Sequence, residues 1–491
     1  MKGTGKTNEA TKNQDLIHDS SDTDNNEKHG NGPNNFQSVP AAPVHNTNVF
    51  DQGGKSYRTM KRWDTIFMLF TNQIGLGILS LPTVLKTLGM VPGLIAIIGI
   101  GVISWYTAFE LLQFYKLHSY VVNVVEMTRV VGGRCLEIVA GTMMMIQVVF
   151  VAASAVVTLS ISLNTISDHA ICTVVFIFIS CIICYLFNIP RTMKFVSHSG
   201  IPNAISVLTA AMVVMISLGV GGPMSAPKGW DKEIVIVGNP SFRDGVNACL
   251  KVVYAYASNI AFVGYMAEMI DPAKDFGFCL TFLEVGSMLL YVVVAIAIYC
   301  LAGQYSVSPA LGSAPTIPAK VAYGVVLPAV FATGIAYGHT GGKYVYVIVM
   351  RKMGATDQIT ANTRKAWTTW LACVTGFWMA VFTISNVIPI FDSILSITSA
   401  TTISWFTYGF SAVFWFHANR NDLFRSPKQI ALTVVNSLLI IMSLFMNVAG
   451  LWSSVTELHD LFNTNDSSIR GVFSCGYSDL HSTSEPSIRL K

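Results

Sequence analysis

The sequence predicts an all-α polytopic membrane protein, and three observations carry that prediction. Of 491 residues, 52% are hydrophobic and only 12% are charged, about half the ~25% charge of ordinary soluble domains. The mean hydropathy is +0.52. The apolar residues also gather in runs of about 20, the length that crosses a hydrocarbon core as a helix, with none of the ten-residue alternation of a membrane barrel.

Eleven such runs predict eleven transmembrane helices: 63–85, 90–115, 138–163, 171–188, 201–221, 245–267, 277–302, 320–350, 365–388, 394–417 and 429–455. Residues 1–62 are rich in Asn, Asp, Lys, Ser, Thr and Gly. Such a segment buries too little surface to offset its ordering entropy, so a disordered tail is expected. It lacks the charged, apolar and small-residue succession of a cleaved leader, so the first run is expected to direct insertion. Of the 31 Lys and Arg, 21 fall on the alternate segments that include this tail and 7 on the opposite set. The positive-inside rule therefore predicts a cytosolic N-terminus and, after eleven crossings, an outer tail over 456–491.

On that outer tail Asn465-Asp466-Ser467 is an acceptable glycosylation sequon. Of nine cysteines, Cys172 and Cys475 are the two expected to meet an oxidising compartment, and a disulfide between them is expected. The other seven read as small apolar packing residues. Between the second and third runs, residues 116–137 interleave valines with polar residues, which predicts a short interfacial helix.

Soluble-enzyme chemistry has no carrier in this sequence. HExxH, GxSxG and a Gly-rich dinucleotide turn are missing. Gly54-Lys55-Ser56 resembles the end of a phosphate loop, but the position of its first glycine is Val49. Cys181 and Cys184 share one face of an apolar run and suggest no redox pair. No basic run with interleaved aromatics points to nucleic acid. We therefore expect no catalytic residue, no metal and no organic cofactor.

Two runs are interrupted. In the first, NQIGLGILSLP (Asn72 to Pro82) places Gly75-Leu76-Gly77 at membrane depth. Each glycine costs about 1 kcal/mol relative to alanine in a helix interior. Two readings stand on this stretch alone: an opened helix whose free N–H and C=O groups hold a small charged ligand, or close packing of a neighbouring helix. In the sixth run, YAYASNIAFVG brings Tyr254, Tyr256, Ser258, Asn259 and Gly264 together. Interruptions five spans apart, in corresponding positions of two halves, point to an inverted-repeat transporter.

Ionisable residues in spans cost about 2.5–3.5 kcal/mol at the centre on insertion scales. Glu110 and Glu284 lie deepest, and one of them is a candidate to exchange a proton. Asp64, Glu268, Lys343 and Lys251 sit nearer span ends, where snorkelling or ordinary ion pairing at the interface is the simpler account of a candidate residue. His339 is either a proton carrier or a packed neutral imidazole.

The chain resembles the amino acid/auxin permease family, and within it the fungal neutral amino acid permeases. The matching stretches are IGLGILSLP with LGMVPG (Leu88 to Gly93), GGR with Glu137, AYAS, and AEM-x-x-P-x-x-DF (Ala267 to Phe276). SPAL (Ser308 to Leu311) and AKVAYGVVLP (Ala319 to Pro328) complete them. The resemblance covers about residues 60–450 and implies a five-plus-five inverted repeat, about 63–221 and 245–417, with a peripheral eleventh helix. It implies that an amino acid carboxylate meets the opened backbone at Gly75, Leu76 and Gly77, and that its ammonium meets carbonyls near both breaks. The substrate side chain would then face spans 3, 6 and 8, with Tyr256 and Ser258 as candidates. Asn72 and Thr333 stand where sodium-coupled members hold their ion, whereas fungal relatives are generally coupled to protons. Span 8 departs from the family in Gly338-His339-Thr340-Gly341-Gly342, which bears on substrate preference.

The expected function is a proton-coupled symporter, sodium not being excluded, that imports neutral aliphatic and aromatic amino acids through the plasma membrane as a monomer. A sensor that binds without transport, and a vacuolar exporter, are the alternatives.

Overall fold

A computed structural model describes residues 58–191, 200–227, 229–355, 358–359, 361–463 and 471–475. The expected tail over 1–62 lies almost wholly outside the described residues, as does the sequon at Asn465. Among the described residues every regular element is helical, and the only β pairing is an isolated bridge between Met60 and Met269.

Among the described residues eight helices are long and apolar enough to cross a membrane, or nine when a pair bent by 41° counts as one span. That pair is α1 (Arg62–Gln73) and α2 (Leu76–Leu88), whose first turns are 3-10. It is followed by α3 (Met90–Leu117) and α4 (Val124–Ser167). The expected interfacial helix is the start of α4, which departs from helical geometry at Gly132 and Gly133. Gly133 has φ +61°, a conformation glycine adopts without a Cβ penalty. Next come α5 (Thr173–Asn188), α6 (Gly200–Gly221), α7 (Phe242–Ala255) and α8 (Asn259–Glu268).

The chain continues through α9 (Pro272–Ala302), α10 (Thr316–Lys352) and α11 (Arg364–Val387). Two π-helical stretches, Ser399–Ile403 and Trp405–Gly409, then link α12 (Phe391–Thr398) to α13 (Phe410–Ala418). A third π stretch joins α14 (Pro427–Phe445) to α15 (Leu451–Asn463), so helix continues past the expected end at 455. Asp271, Thr363 and Ser426 cap α9, α11 and α14 by accepting a bond from a backbone N–H in the first turn, which satisfies one of the donors a helix start leaves free.

The buried apolar residues form two cores. One holds Ile66 and Leu69 of α1 with Phe262 and Met266 of α8. The other holds Leu79 and Leu85 of α2 with Val252 and Val253 of α7. Each half of the bent pair and each half of the α7–α8 segment thus belongs to a different core, and the breaks fall where the cores meet.

The last helices are laced to the rest by polar side chains rather than lying loosely beside it. Asn436 donates to Glu110, the Ser443 hydroxyl to the Ser404 carbonyl, and Ser453 to the Arg243 carbonyl. Arg243 pairs with Asp460, and Asn247 donates to Glu457. Beyond α15, Cys475 is joined to Cys172 at the start of α5 by a disulfide, with Cα atoms 4.8 Å apart.

Candidate functional site

At the meeting of the two breaks lies a cavity of about 150 Å³, a volume comparable to engineered cavities that accept a benzene molecule. Asn72, Gly75, Leu76 and Gly77 supply one wall, and Tyr254, Ala257 and Ser258 the facing one. Thr333 and Tyr337 of α10, Gln147 of α4 and Asn203 of α6 close the sides.

The backbone opens here for local reasons. After Gln73, Ile74 (ψ 85°) and Gly75 (φ −128°, ψ −146°) leave the helical region. A Cβ on Gly75 would meet nothing within 4 Å, so this glycine keeps backbone exposed to the cavity. Gly77 does something else: its Cβ would stand 2.7 Å from the Ala255 Cα. Both readings of the glycine triplet therefore hold, at different residues, with exposure at Gly75 and close helix approach at Gly77.

Across the cavity α7 ends at Ala255, and Tyr256-Ala257-Ser258 form a turn before α8. The C-terminal carbonyls of α1 and α7 and the N-terminus of α2 therefore converge on one space. Helix ends carry about half an elementary charge of either sign. Amide N–H groups of α2 are suited to an anionic group there, and carbonyls of α1 and α7 to a cationic one.

A second layer of polar groups holds the breaks in register. The Tyr291 hydroxyl lies 2.8 Å from the Gln73 carbonyl and 2.9 Å from the Ala255 carbonyl, in reach to donate to either break. Gln73 lines the cavity, and its side chain donates to Ser287 Oγ at 2.8 Å and to Glu284 Oε2 at 3.3 Å. Glu284 is fully buried one residue behind the cavity wall, and its Oε1 has no hydrogen-bond partner among the described residues. Asn72 Nδ2 is likewise without a partner there.

The other expected site residues separate clearly. Ser258 lines the cavity, as does Thr333, whose hydroxyl donates to the Ala329 carbonyl at 2.9 Å. Tyr256 is a correction: it lies outside the lining, fully buried, with its ring 5.2 Å from Tyr291. Its hydroxyl faces Gly101 on α3. Tyr254 takes the place on the wall instead, with its hydroxyl 3.1 Å from Ser154 Oγ. Glu110 is also remote from the cavity, held at the α3–α14 contact by Asn436 at 2.8 Å. His339 packs 5.3 Å from Trp370, between glycines that admit Phe377 and Trp378, and does not line the cavity. Sequence reasoning gave no role to Gln73, Gln147 or Tyr291, and it placed Tyr254 at the break without choosing it for the wall. Gln73 lies inside the Asn72–Pro82 motif without a role of its own there, whereas Tyr291 carries no local signal.

Comparison with known proteins gives one family and several relatives. Residues 58–456 match the family described as transmembrane amino acid transporter protein. The N amino acid transport system protein of Neurospora crassa is 30% identical over 81% of this chain and 84% of its own length. A transmembrane transporter of Gibberella moniliformis is 28% identical over 86% of this chain and 88% of its own. Another, from Fusarium pseudograminearum, is 28% identical over 91% and 93% respectively.

Proposed function

The chain belongs to the transmembrane amino acid transporter family, and on that premise we propose that it is a secondary active transporter importing neutral amino acids together with protons. Transport of amino acids, and not catalysis, is what the family does. The single observation that carries the finer reading is the convergence of two broken helices on a cavity with a buried carboxylate behind its wall.

The wall supports neutral side chains. The cavity is lined by tyrosines, alanines, amides and hydroxyls, with no Asp, Glu, Lys or Arg among its lining residues. A charged substrate side chain would enter unpaired, at a cost of several kcal/mol. Substrate carboxylate at the start of α2 and ammonium at the carbonyls of α1 and α7 use helix ends that face the cavity. Asn72 and Thr333 flank that position, and a cation beside the carboxylate is the alternative use for them. Glu284 is the preferred proton carrier because Gln73 links it to the cavity, whereas Glu110 and His339 lack such a link.

The proposed architecture has eleven spans. The bent pair, the shorter apolar helix Thr173–Asn188 and the helical run over 391–418 bring the eight long helices to that number. The spans are arranged as five-plus-five repeats followed by the laced last helix. The N-terminus is cytosolic, and the plasma membrane is the preferred location over the vacuolar membrane. Both ends of the path carry closures. At one end Arg62 pairs with Asp275, and the backbone of Thr59 and Met60 donates to the Glu268 carbonyl. At the other, Asp392 pairs with Lys251 and accepts from Ser308, while Lys86 donates to the Ser306 carbonyl. Alternating access is the opening of one set while the other stays shut.

Uptake of labelled neutral amino acids into proteoliposomes, with an inward proton gradient or a sodium gradient, tests this reading. Concentrative uptake driven by the proton gradient is expected, with Glu284→Gln flattening the pH dependence. Binding without net uptake would establish a sensor instead.

A further inference from the structure

An open apolar groove of about 740 Å³ lies on the outside of the helix bundle, where α4, α10 and α11 meet. Its floor is a row of α11 at four-residue spacing: Thr368, Ala372, Gly376 and Ala380. One side is Val345 and Val349 of α10 with Met353 just past its end, also four apart, and the other is Met145 and Val149 of α4. A Cβ on Gly376 would meet nothing within 4 Å, so the floor is hollow at its middle. From Thr368 to Ala380 the row rises about 18 Å at about 1.5 Å per residue, a little more than one leaflet of a ~30 Å hydrocarbon core.

The groove ends in positive charge. Arg364 continues the floor row one turn beyond Thr368, and Lys365 stands beside it at the start of α11. Lys352 precedes Met353 at the end of α10. All three are exposed, and none forms an ion pair among the described residues. The acid on the matching row of α4, Glu137, lies 3.7 Å from Arg129 and is already partnered. Apolar length and unpaired cations are thus joined end to end on one surface.

We propose that this groove is a binding site for an anionic phospholipid, with one acyl chain lying along the α11 row and the headgroup phosphate held by Lys352, Arg364 and Lys365. Basic pockets between helices at a membrane surface attract anionic headgroups at close range. A zwitterionic lipid fills the same groove but leaves the three cations uncompensated. The site is distinct from the transport cavity, which α4 and α10 line with other residues.

Native mass spectrometry of the full chain, supplied with phosphatidylserine or phosphatidylcholine, tests the proposal. Wild type is expected to retain phosphatidylserine about tenfold or more in preference to phosphatidylcholine. Lys352→Gln, Arg364→Gln and Lys365→Gln combined should erase the preference while leaving apolar adducts. Gly376→Phe should reduce adducts of both lipids by filling the floor, with the charges intact. Equal retention of the two lipids by wild type, or undiminished adducts on Gly376→Phe, would overturn it. Should the glycine variant not fold, photocrosslinking of wild type with a diazirine-bearing phosphatidylserine decides. Labelled peptides from α10 and α11 support the site, and labelling confined to other helices refutes it.

Discussion

The two breaks that meet at the cavity are unlike each other. Span 1 bends by 41° and leaves Ile74 and Gly75 outside helical geometry, with open space over Gly75. The α7–α8 segment stays one membrane-length run, interrupted by a turn at Tyr256-Ala257-Ser258 whose first residue is fully buried. One break exposes backbone and the other mainly re-aims side chains. On the proposed reading the work is unequal: span 1 meets both the carboxylate and the ammonium, whereas span 6 adds carbonyls for the ammonium and shapes the wall.

The largest effect should come from filling the open break. Gly75→Leu starts from a Cβ that meets nothing within 4 Å, so folding and surface expression should persist while the side chain occupies the cavity. Uptake should fall by about 100-fold or more, as expected when a positioned group is displaced by about 1 Å. Gly77→Ala makes the contrast. Its Cβ meets the Ala255 backbone, so about 1–3 kcal/mol of stability should be lost through overpacking, read as a lower melting temperature. Near-normal uptake by Gly75→Leu would end the assignment of recognition to span 1.

Tyr291→Phe comes next, because it removes the hydroxyl that serves both breaks. Its single proton is shared between the Gln73 and Ala255 carbonyls, and leaving either short of a donor costs about 1–3 kcal/mol. A lower maximal uptake rate is expected, since the two breaks lose their common tie, and an unchanged rate would show that they are held together by apolar packing alone. The smallest effects separate two neighbouring tyrosines of span 6. Tyr254→Phe loses the bond to Ser154 and should weaken apparent substrate affinity by about 1 kcal/mol. Tyr256→Phe removes a hydroxyl with no partner among the described residues and should stay within about 0.5 kcal/mol of wild type. The reverse order in a transport assay would return Tyr256 to the wall.

That pair of tyrosines also shows how much of the site could be read from residues alone. The breaks themselves were legible, because glycines, an amide and hydroxyls within long apolar runs stand out against their surroundings. Which side chain faces inward was not. A helical residue turns by about 100°, so a three-residue turn resets the facing of everything beside it. Glu110 was legible as a costly intramembrane carboxylate, but its partner Asn436 is 326 residues away. Tyr291 was hidden for a different reason: one tyrosine in an apolar span has no pattern, and its meaning lies in two carbonyls it meets only after folding. The π turns over 399–409 left no compositional mark either.

The bond between Cys172 and Cys475 can be read as a rule about parity. Two thiols joined covalently must share one side of the membrane, so the chain between them has to cross an even number of times. On the proposed arrangement eight spans lie between them, from α5 to the end of α15, and three precede Cys172. An arrangement with one crossing more or fewer in that interval would strand the two sulfurs on opposite faces. The same bond closes most of the chain into a ring, so a single proteolytic cut in any loop from α5 onward leaves two fragments that separate only after reduction.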